Sequence, residues 1–592
     1  MVIKQEVAYG IVQGLADFWK CDELQDFTVT LGTTKFGCHR FLLAACSLFF
    51  KGLFRSGMKE TEVQCVTVEG ISSETFELIL ETLYTGQDVL TKDNVIDIWK
   101  AAHQLQIHFL ITECENFAKT TLSLDNYIEY YKIANLFESK EVLEIVWSFI
   151  LKNANVFFQS DFFLEMQVFD ILNLIKCQDL KITSEDDVVQ ALLKWVEFAS
   201  CKIDTIPEDL TTKGNEISEV QHRNKDMPVR PYVDNRNEQL PVLLTNTRTC
   251  LLSPKCLEML IRHPLIRESK VPTDIIVEAL LYQFQVGKRI GWWPPAAIYR
   301  NHGNYVNTAV AIRKNTNETI IKIKAFSFLS KKWLTLTDLF STSIAALVAI
   351  DKSLYAFGKL STVQLKTNSY ITTSNLFKLS IDTWLDLNIF LNLPSQPTVV
   401  VADANIYILV SSSGEVWQLD PTTGRSIRKA DLLYESSIIH VANYEQFIIV
   451  FYFVADVKDA MAVCCFDTSR NKWERLDNIN GPAAGVISFK HSHSTYLIQT
   501  NGNLWMAEPQ PNKVKFKYLA KLWSCDWPLH GAVTFRDELY IYGVKSETLK
   551  QDLQKQTSLD GIFSQIVYME SEDTVPSTFI PLTLSRQCIR QF

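Results

Sequence analysis

A multidomain α+β protein, with a mixed α/β domain first, an all-helical region next and an all-β propeller last, is expected of this 592-residue chain. Three observations carry that expectation. Residues 26–60 begin with apolar/polar alternation, turn at a glycine, alternate again and then pass into helical spacing. From Leu122 onward apolar residues recur at the helical period. From Pro295 to the end, short apolar strands alternate with turns, and one type of strand core returns at steps of about 40 to 52 residues.

In the first domain, Val7, Ile11, Val12, Leu15 and Phe18 recur at helical spacing, so residues 8–19 read as a short amphipathic lead helix. Phe27, Val29 and Leu31 share one strand face, Gly32-Thr33-Thr34 is a hairpin turn, and residues 35–38 return as a second strand. Phe41 to Cys46 is too rich in Leu and Ala for another strand. Ser47 is placed to cap a short helix carrying Leu48, Phe49, Leu53 and Phe54. Residues 63–68 read as a strand. Ser72 caps a helix that Gly86 stops, and two further helices follow, from Thr91 or Asp93 to Leu105 and from Ile107 to Thr120.

The helical region shows apolar faces at residues 126–128, 134–137, 142–151 and 157–166. Residues 172–199 read as Leu180, a Ser184-Glu185 helix start and Trp195 on one long helix. Cys201 to Pro241 is polar, holds Pro207, Pro228 and Pro231, and reads as a disordered insertion. Helical spacing resumes at Leu243 and ends near Gln285, and Gly291-Trp292-Trp293-Pro294-Pro295 marks the next boundary.

Beyond it, the recurring strand cores are residues 354–357, 406–409, 447–450, 496–498 and 539–542. A second element follows the first three, around Trp384, Asp420 and Trp473, and residues 326–333 look like an earlier copy of it. A blade must bury both faces against its neighbours, so the Tyr of one strand and the Trp after the next turn are expected to form the layer between blades.

The order strand, tight turn, strand, HR, LAACS, FF, GLF, SGMKE over residues 26–60, with ETLYTGQDVLTKDNVIDIWKAAHQLQI after it, resembles the BTB/POZ domain. The helical region resembles the BACK domain that follows BTB in kelch proteins. The last region resembles kelch repeats in degenerate form: only Gly358 and Gly543 stand where paired glycines usually follow the Tyr-bearing strand. The resemblance implies a BTB/POZ domain over 1–121, an all-α BACK domain over 122–285 with the insertion near 201–241, and a kelch-type propeller of five or six blades over 295–592.

That resemblance also implies partners. The lead helix, through Ile11, Leu15 and Phe18, would pack against a second copy, and Asp26 and Arg40 match the charged pair kept near the dimer seam. Asp26 also reads as a turn or cap residue and Arg40 as a solvated strand end. A cullin scaffold of a RING ubiquitin ligase would dock at Leu53, Phe54, Arg55 and Met58, with Tyr84 nearby. Leu53 and Phe54 also read as domain core. Where the cleanest cullin-binding adaptors carry an acid, this chain has Arg55. A protein substrate would be held by propeller loops. A cytoskeletal, actin-associated scaffold without a ligase role is the rival reading.

Composition closes off other classes. A formal net charge of -9 gives no basic footprint for nucleic acid, which also weakens a transcriptional co-repressor. No apolar run approaches a membrane span and the N-terminus lacks a signal-peptide profile. The 13 scattered cysteines contain no C-x-x-C, which fits free thiols in cytosol or nucleus. No phosphate-binding loop, nucleophile elbow or zinc-protease motif occurs, so neither an enzyme nor a cofactor is expected. His491-Ser492-His493 would place two imidazoles on one strand face, read as solvated histidines rather than half a metal site. Cys464-Cys465 reads as a buried pair within a strand.

Overall fold

The computed structural model describes residues 5–21, 24–55, 64–203, 236–285, 291–313, 320–337, 339–340, 344–364, 370–381, 383–393, 397–434, 436–453, 460–481, 485–510, 513–524, 526–544, 559, 562–571 and 578–589. The chain divides into two compact units, Met1–Glu165 and Met166–Phe592.

In the first unit, β1 (Phe27–Leu31) pairs antiparallel with β2 (Thr34–Cys38) and parallel with β3 (Cys65–Thr67), giving the order β2-β1-β3. Alternation does what it predicts: Phe27, Val29 and Leu31 are all buried. Gly32 turns the hairpin at φ +56°, in the left-handed region that favours glycine. Around the sheet lie α1 (Gln5–Lys20), α2 (Arg40–Cys46), α3 (Leu48–Arg55), α4 (Ser73–Thr85), α5 (Val95–Gln104) and α6 (His108–Thr121). Local chemistry sets their ends. The Phe50 amide donates to Ser47 Oγ at 3.1 Å, the Thr75 amide donates to Ser72 Oγ at 3.1 Å, and Gly86 ends α4 at φ +67°. Helices Tyr127–Leu136, Lys140–Lys152, Ala154–Phe157 and Asp161–Glu165 complete the unit around Tyr130, Ile133, Val146, Ile150 and Phe163.

The second unit starts with helices Val168–Lys176 and Glu185–Ile203. Leu180 precedes the long helix instead of lying on it, and is buried in the connecting turn. The edges of the expected disordered insertion are ordered: 201–203 finish the long helix, and 236–241 form a 3-10 turn and the start of helix Leu240–Thr245. Arg236 holds that edge, its guanidinium 4.0 Å from the Trp195 ring centre and its Nη1 donating to the Trp195 carbonyl at 2.9 Å. The rest of the insertion, 204–235, lies outside the described residues.

Six sheets follow, among the described residues. Their innermost strands are Phe579–Ser585, Ile344–Ile350, Thr398–Ala402, Ile438–Tyr444, Val486–His491 and Leu529–Phe535, each next to the following one and the last next to the first. This is a kelch-type propeller arrangement of six blades. Closure comes from the chain's end, where Phe579–Ser585 pairs antiparallel with Tyr305–Arg313 and becomes the inner strand of the first blade. Six apolar layers lie between consecutive blades, and one of them, with Ala309, Phe326, Val533 and Tyr540, joins the sixth blade to the first. Tyr407 of the third blade and Trp473 of the fourth share one such layer, whereas Tyr355 and the Trp384 that follows it lie in different ones. The sixth blade departs from the pattern, because Gln565–Ser571 joins Glu538–Val544 in parallel.

Helices and propeller meet at a buried ion cluster. Glu185 takes both teeth of the Arg300 fork, Nε to Oε1 at 2.7 Å and Nη2 to Oε2 at 3.0 Å, and Arg248 Nη1 reaches Oε1 at 3.4 Å. Arg300 Nη1 also donates to the carbonyls of Ile175 and Cys177. Burial and the neighbouring Arg300 charge pull the Arg248 guanidinium down to about 9.

Candidate protein-binding sites

The clearest site grows from β1 and α3. Phe50 is the buried residue of α3, while Phe54, one turn further on, is half-buried with its ring edge-on to Phe27, centres 4.8 Å apart. The Arg40 guanidinium sits 4.8 Å from the Phe54 ring centre and 5.8 Å from that of Phe27. Leu53 is half-buried and Arg55 exposed beside them. Leu53, Phe54 and Arg55 thus form one partly open patch at the end of α3. Neither the surface nor the core reading of Leu53 and Phe54 is complete: their inner atoms pack and their outer atoms face water. Met58 lies outside the described residues.

Tyr84 has no surface to offer. It is 0% exposed, with its hydroxyl 2.7 Å from His39 Nδ1 and accepting from the His39 amide at 3.0 Å. Trp19 stacks on its ring at 5.4 Å, and burial pushes the phenol well above its ordinary value. Tyr84 therefore supports α1 and the start of α2 and cannot itself touch a docked partner, a correction to its expected place in the site.

The lead helix uses one side for its own domain, through Trp19, and leaves another open. Ile11 is 57% exposed and Phe18 38%, with Leu15 half-buried between them and Tyr9 exposed nearby. Asp26 and Arg40 do meet, but the Asp26 carboxylate accepts the Arg40 main-chain amide at 2.8 Å, as a cap for α2. The Arg40 guanidinium is thereby left to the aromatic rings. Phe18 lies 6.4 Å from the His39 ring, so α1 approaches the start of α2 close to where Asp26 and Arg40 meet.

On the propeller, the candidate histidine pair separates. His491 ends its strand and is buried, while Ser492 and His493 form the following turn at φ 46° and 66°. His493 packs against Trp292 instead, ring centres 4.9 Å apart. Burial, not solvation, is the fate of His491, because the inner strand is covered on both faces. No group of three metal-binding side chains occurs among the described residues. Cys464 and Cys465 are buried, and desolvation raises their thiols to about 11 and about 12, far from a reactive thiolate. No helix among the described residues is long and apolar enough to cross a membrane.

Sequence reasoning missed three arrangements: Arg40 as a ring-stacked cation, the buried Glu185 cluster, and Lys490 among the residues lining the cavity between the inner strands. Only Arg40 carried a signal, its position at the start of the helix that follows the second strand.

Comparison with known proteins agrees with this geometry. The BTB/POZ domain model matches residues 15–122, and the model "BTB And C-terminal Kelch" matches residues 127–211. The chain is similar to Kelch-like protein 40b of Danio rerio, 28% identical over 31% of this chain and 30% of that protein. Kelch repeat and BTB domain-containing protein 3 of Mus musculus is 26% identical over 46% of this chain and 39% of its own length. Kelch-like protein 40 of Xenopus laevis is 24% identical over 45% of this chain and 46% of its own. The matched stretches thus span less than half the length of each of these relatives.

Proposed function

The chain belongs to the BTB–BACK–kelch family, and on that premise we propose that it is a non-catalytic substrate adaptor of a cullin-RING ubiquitin ligase. Two copies associate through α1 and the Asp26–Arg40 region. Each presents the α3 patch to a cullin, and each propeller holds a protein target by its loops. Ubiquitin transfer is the work of the bound ligase components. Its compartment is cytosol or nucleus, a reading supported by cysteines that are unpaired among the described residues. Two propellers in one dimer raise the effective concentration of the second binding event without any new contact.

The single observation behind the docking reading is the α3 patch. Leu53 and Phe54 are partly open, and Phe54 is held in place by Phe27 and Arg40. A pre-set apolar anchor at an interface loses little entropy on binding and makes a suitable hot spot. The exposed Arg55 favours a second reading, a cytoskeletal scaffold that uses the same dimer and propeller without a cullin, because its charge is opposite to that of the cleanest cullin binders. Affinity purification of the full chain, scored for cullin against actin, separates the two. Cullin without actin supports the adaptor, and actin without cullin supports the scaffold.

A further inference from the structure

The six inner strands line a partly open cavity of about 290 Å³ at the propeller's centre. Its size is near the lower end of small-molecule sites, roughly 300–1,000 Å³. Most of the residues that line it are aliphatic or aromatic, among them Val348, Val400, Val441, Phe489, Phe579 and Ile580. Lys490 is the one lysine, arginine or carboxylate among the described residues that line it.

Lys490 is fixed in that position. Gly291, in the linker that enters the propeller, sits at φ +89°, and a Cβ there would come 3.1 Å from Lys490 Cδ. The linker therefore closes over the lysine stem with the one residue that suits both the backbone and the space. No hydrogen bond or ion pair reaches Nζ among the described residues. Glu445 and Asp403 act on it only through space, and neither lines the cavity. Lys490 is partly buried, and desolvation pulls its ammonium down to about 8 although Glu445 and Asp403 oppose the shift. His440, Asn443, Ser488, Thr495, His530 and Thr578 are the other polar side chains among the residues that line the same space. Thr578 Oγ1 is buried with no partner among the described residues, and His440 Nε2 lies 2.8 Å from Ser488 Oγ.

We propose that this cavity is a binding site for a small monocarboxylate with an apolar tail, its carboxylate paired with Lys490 and its tail against the aliphatic walls. One cation matches one negative charge. A phosphate dianion would face a single ammonium and apolar walls, a poorer balance of charge and desolvation. The site is independent of target capture by the loops.

The test is calorimetric titration of the full-length chain with octanoate, octylamine and inorganic phosphate, alongside Lys490→Met, which keeps the stem and removes the charge. Octanoate is expected to bind, octylamine and phosphate are not, and Lys490→Met is expected to lose octanoate affinity roughly tenfold or more. Equal octanoate binding by Lys490→Met, equal binding of octylamine or phosphate, or no octanoate binding by the wild type would overturn the proposal. Should Lys490→Met not fold, acetylation of Lys490 in the wild type decides, read by peptide mass spectrometry. Octanoate should slow that labelling several-fold, and an unchanged rate would contradict the assignment.

Discussion

Arg40 holds its guanidinium 4.8 Å from the centre of the Phe54 ring, while its main-chain amide donates to the Asp26 carboxylate at 2.8 Å. One residue thus serves both candidate surfaces of the first unit. Its backbone anchors the seam where α1 approaches α2, and its side chain fixes the ring at the docking end of α3.

Replacing Arg40 with Met keeps the stem and removes the cation. The loss should be modest, about 0.5–2 kcal/mol, and local. Hydrogen exchange should quicken in the amides of 48–55 without a general loss of protection. Unchanged exchange there would mean that the guanidinium does not hold Phe54.

The open side of α1 predicts self-association. Ile11→Asp with Phe18→Asp replaces two exposed apolar groups, so folding should be little affected while a second copy is repelled. Light scattering at micromolar concentration should show dimer for the wild type and monomer for the double variant. A monomeric wild type would refute the dimer reading.

The ion cluster at the base of the propeller predicts an asymmetric cost. Glu185→Gln leaves two buried guanidinium groups facing a neutral amide, so the second unit should lose about 3–5 kcal/mol. Arg300→Lys should also be costly, because an ammonium cannot reproduce the two-toothed contact. Urea unfolding followed by tryptophan fluorescence measures both. A change below 1 kcal/mol for Glu185→Gln would show that water reaches the cluster.

Much of this architecture was legible because it is local. Ser47 and Ser72 cap helices through neighbouring amides, and Gly32 and Gly86 sit where the backbone turns left-handed, so short windows were enough. Tyr84 was misplaced because its burial depends on Trp19 and His39, which no helical period reveals. Blade count was open because closure rests on pairing between the two ends of the propeller sequence, 305–313 and 579–585. Lys490 drew no expectation, because alternation along one strand does not show where a polar residue points once blades close into a ring. In this ring it lines the central cavity.

His440 makes the pH dependence of the propeller predictable. Burial takes its imidazole down to about 4, so between that value and the usual 6.5 the unfolded chain binds a proton that the folded one refuses. Stability should therefore fall as pH drops through this window, by roughly 3 kcal/mol at most from this group. His440→Gln keeps a partner for Ser488 and removes the titration. Its urea midpoint should fall less steeply than the wild type's between pH 6.5 and 4. Parallel curves would place the imidazole in contact with bulk water.

The adaptor reading stands or falls on whether the α3 patch binds a cullin. The direct measurement is titration of the full-length chain with the N-terminal region of the cullin partner of BTB adaptors. It is run for wild type, Leu53→Asp and Arg55→Glu, with circular dichroism and light scattering as controls. Leu53 is the better probe, since an acid at Phe54 would be pressed against Phe27 and Phe50. The adaptor reading predicts saturable binding by the wild type, loss of binding by a folded, dimeric Leu53→Asp, and tighter binding by Arg55→Glu. A folded Leu53→Asp that binds as well as the wild type would contradict the site. A wild type that does not bind, while Arg55→Glu does, would contradict the ligase role and leave the scaffold.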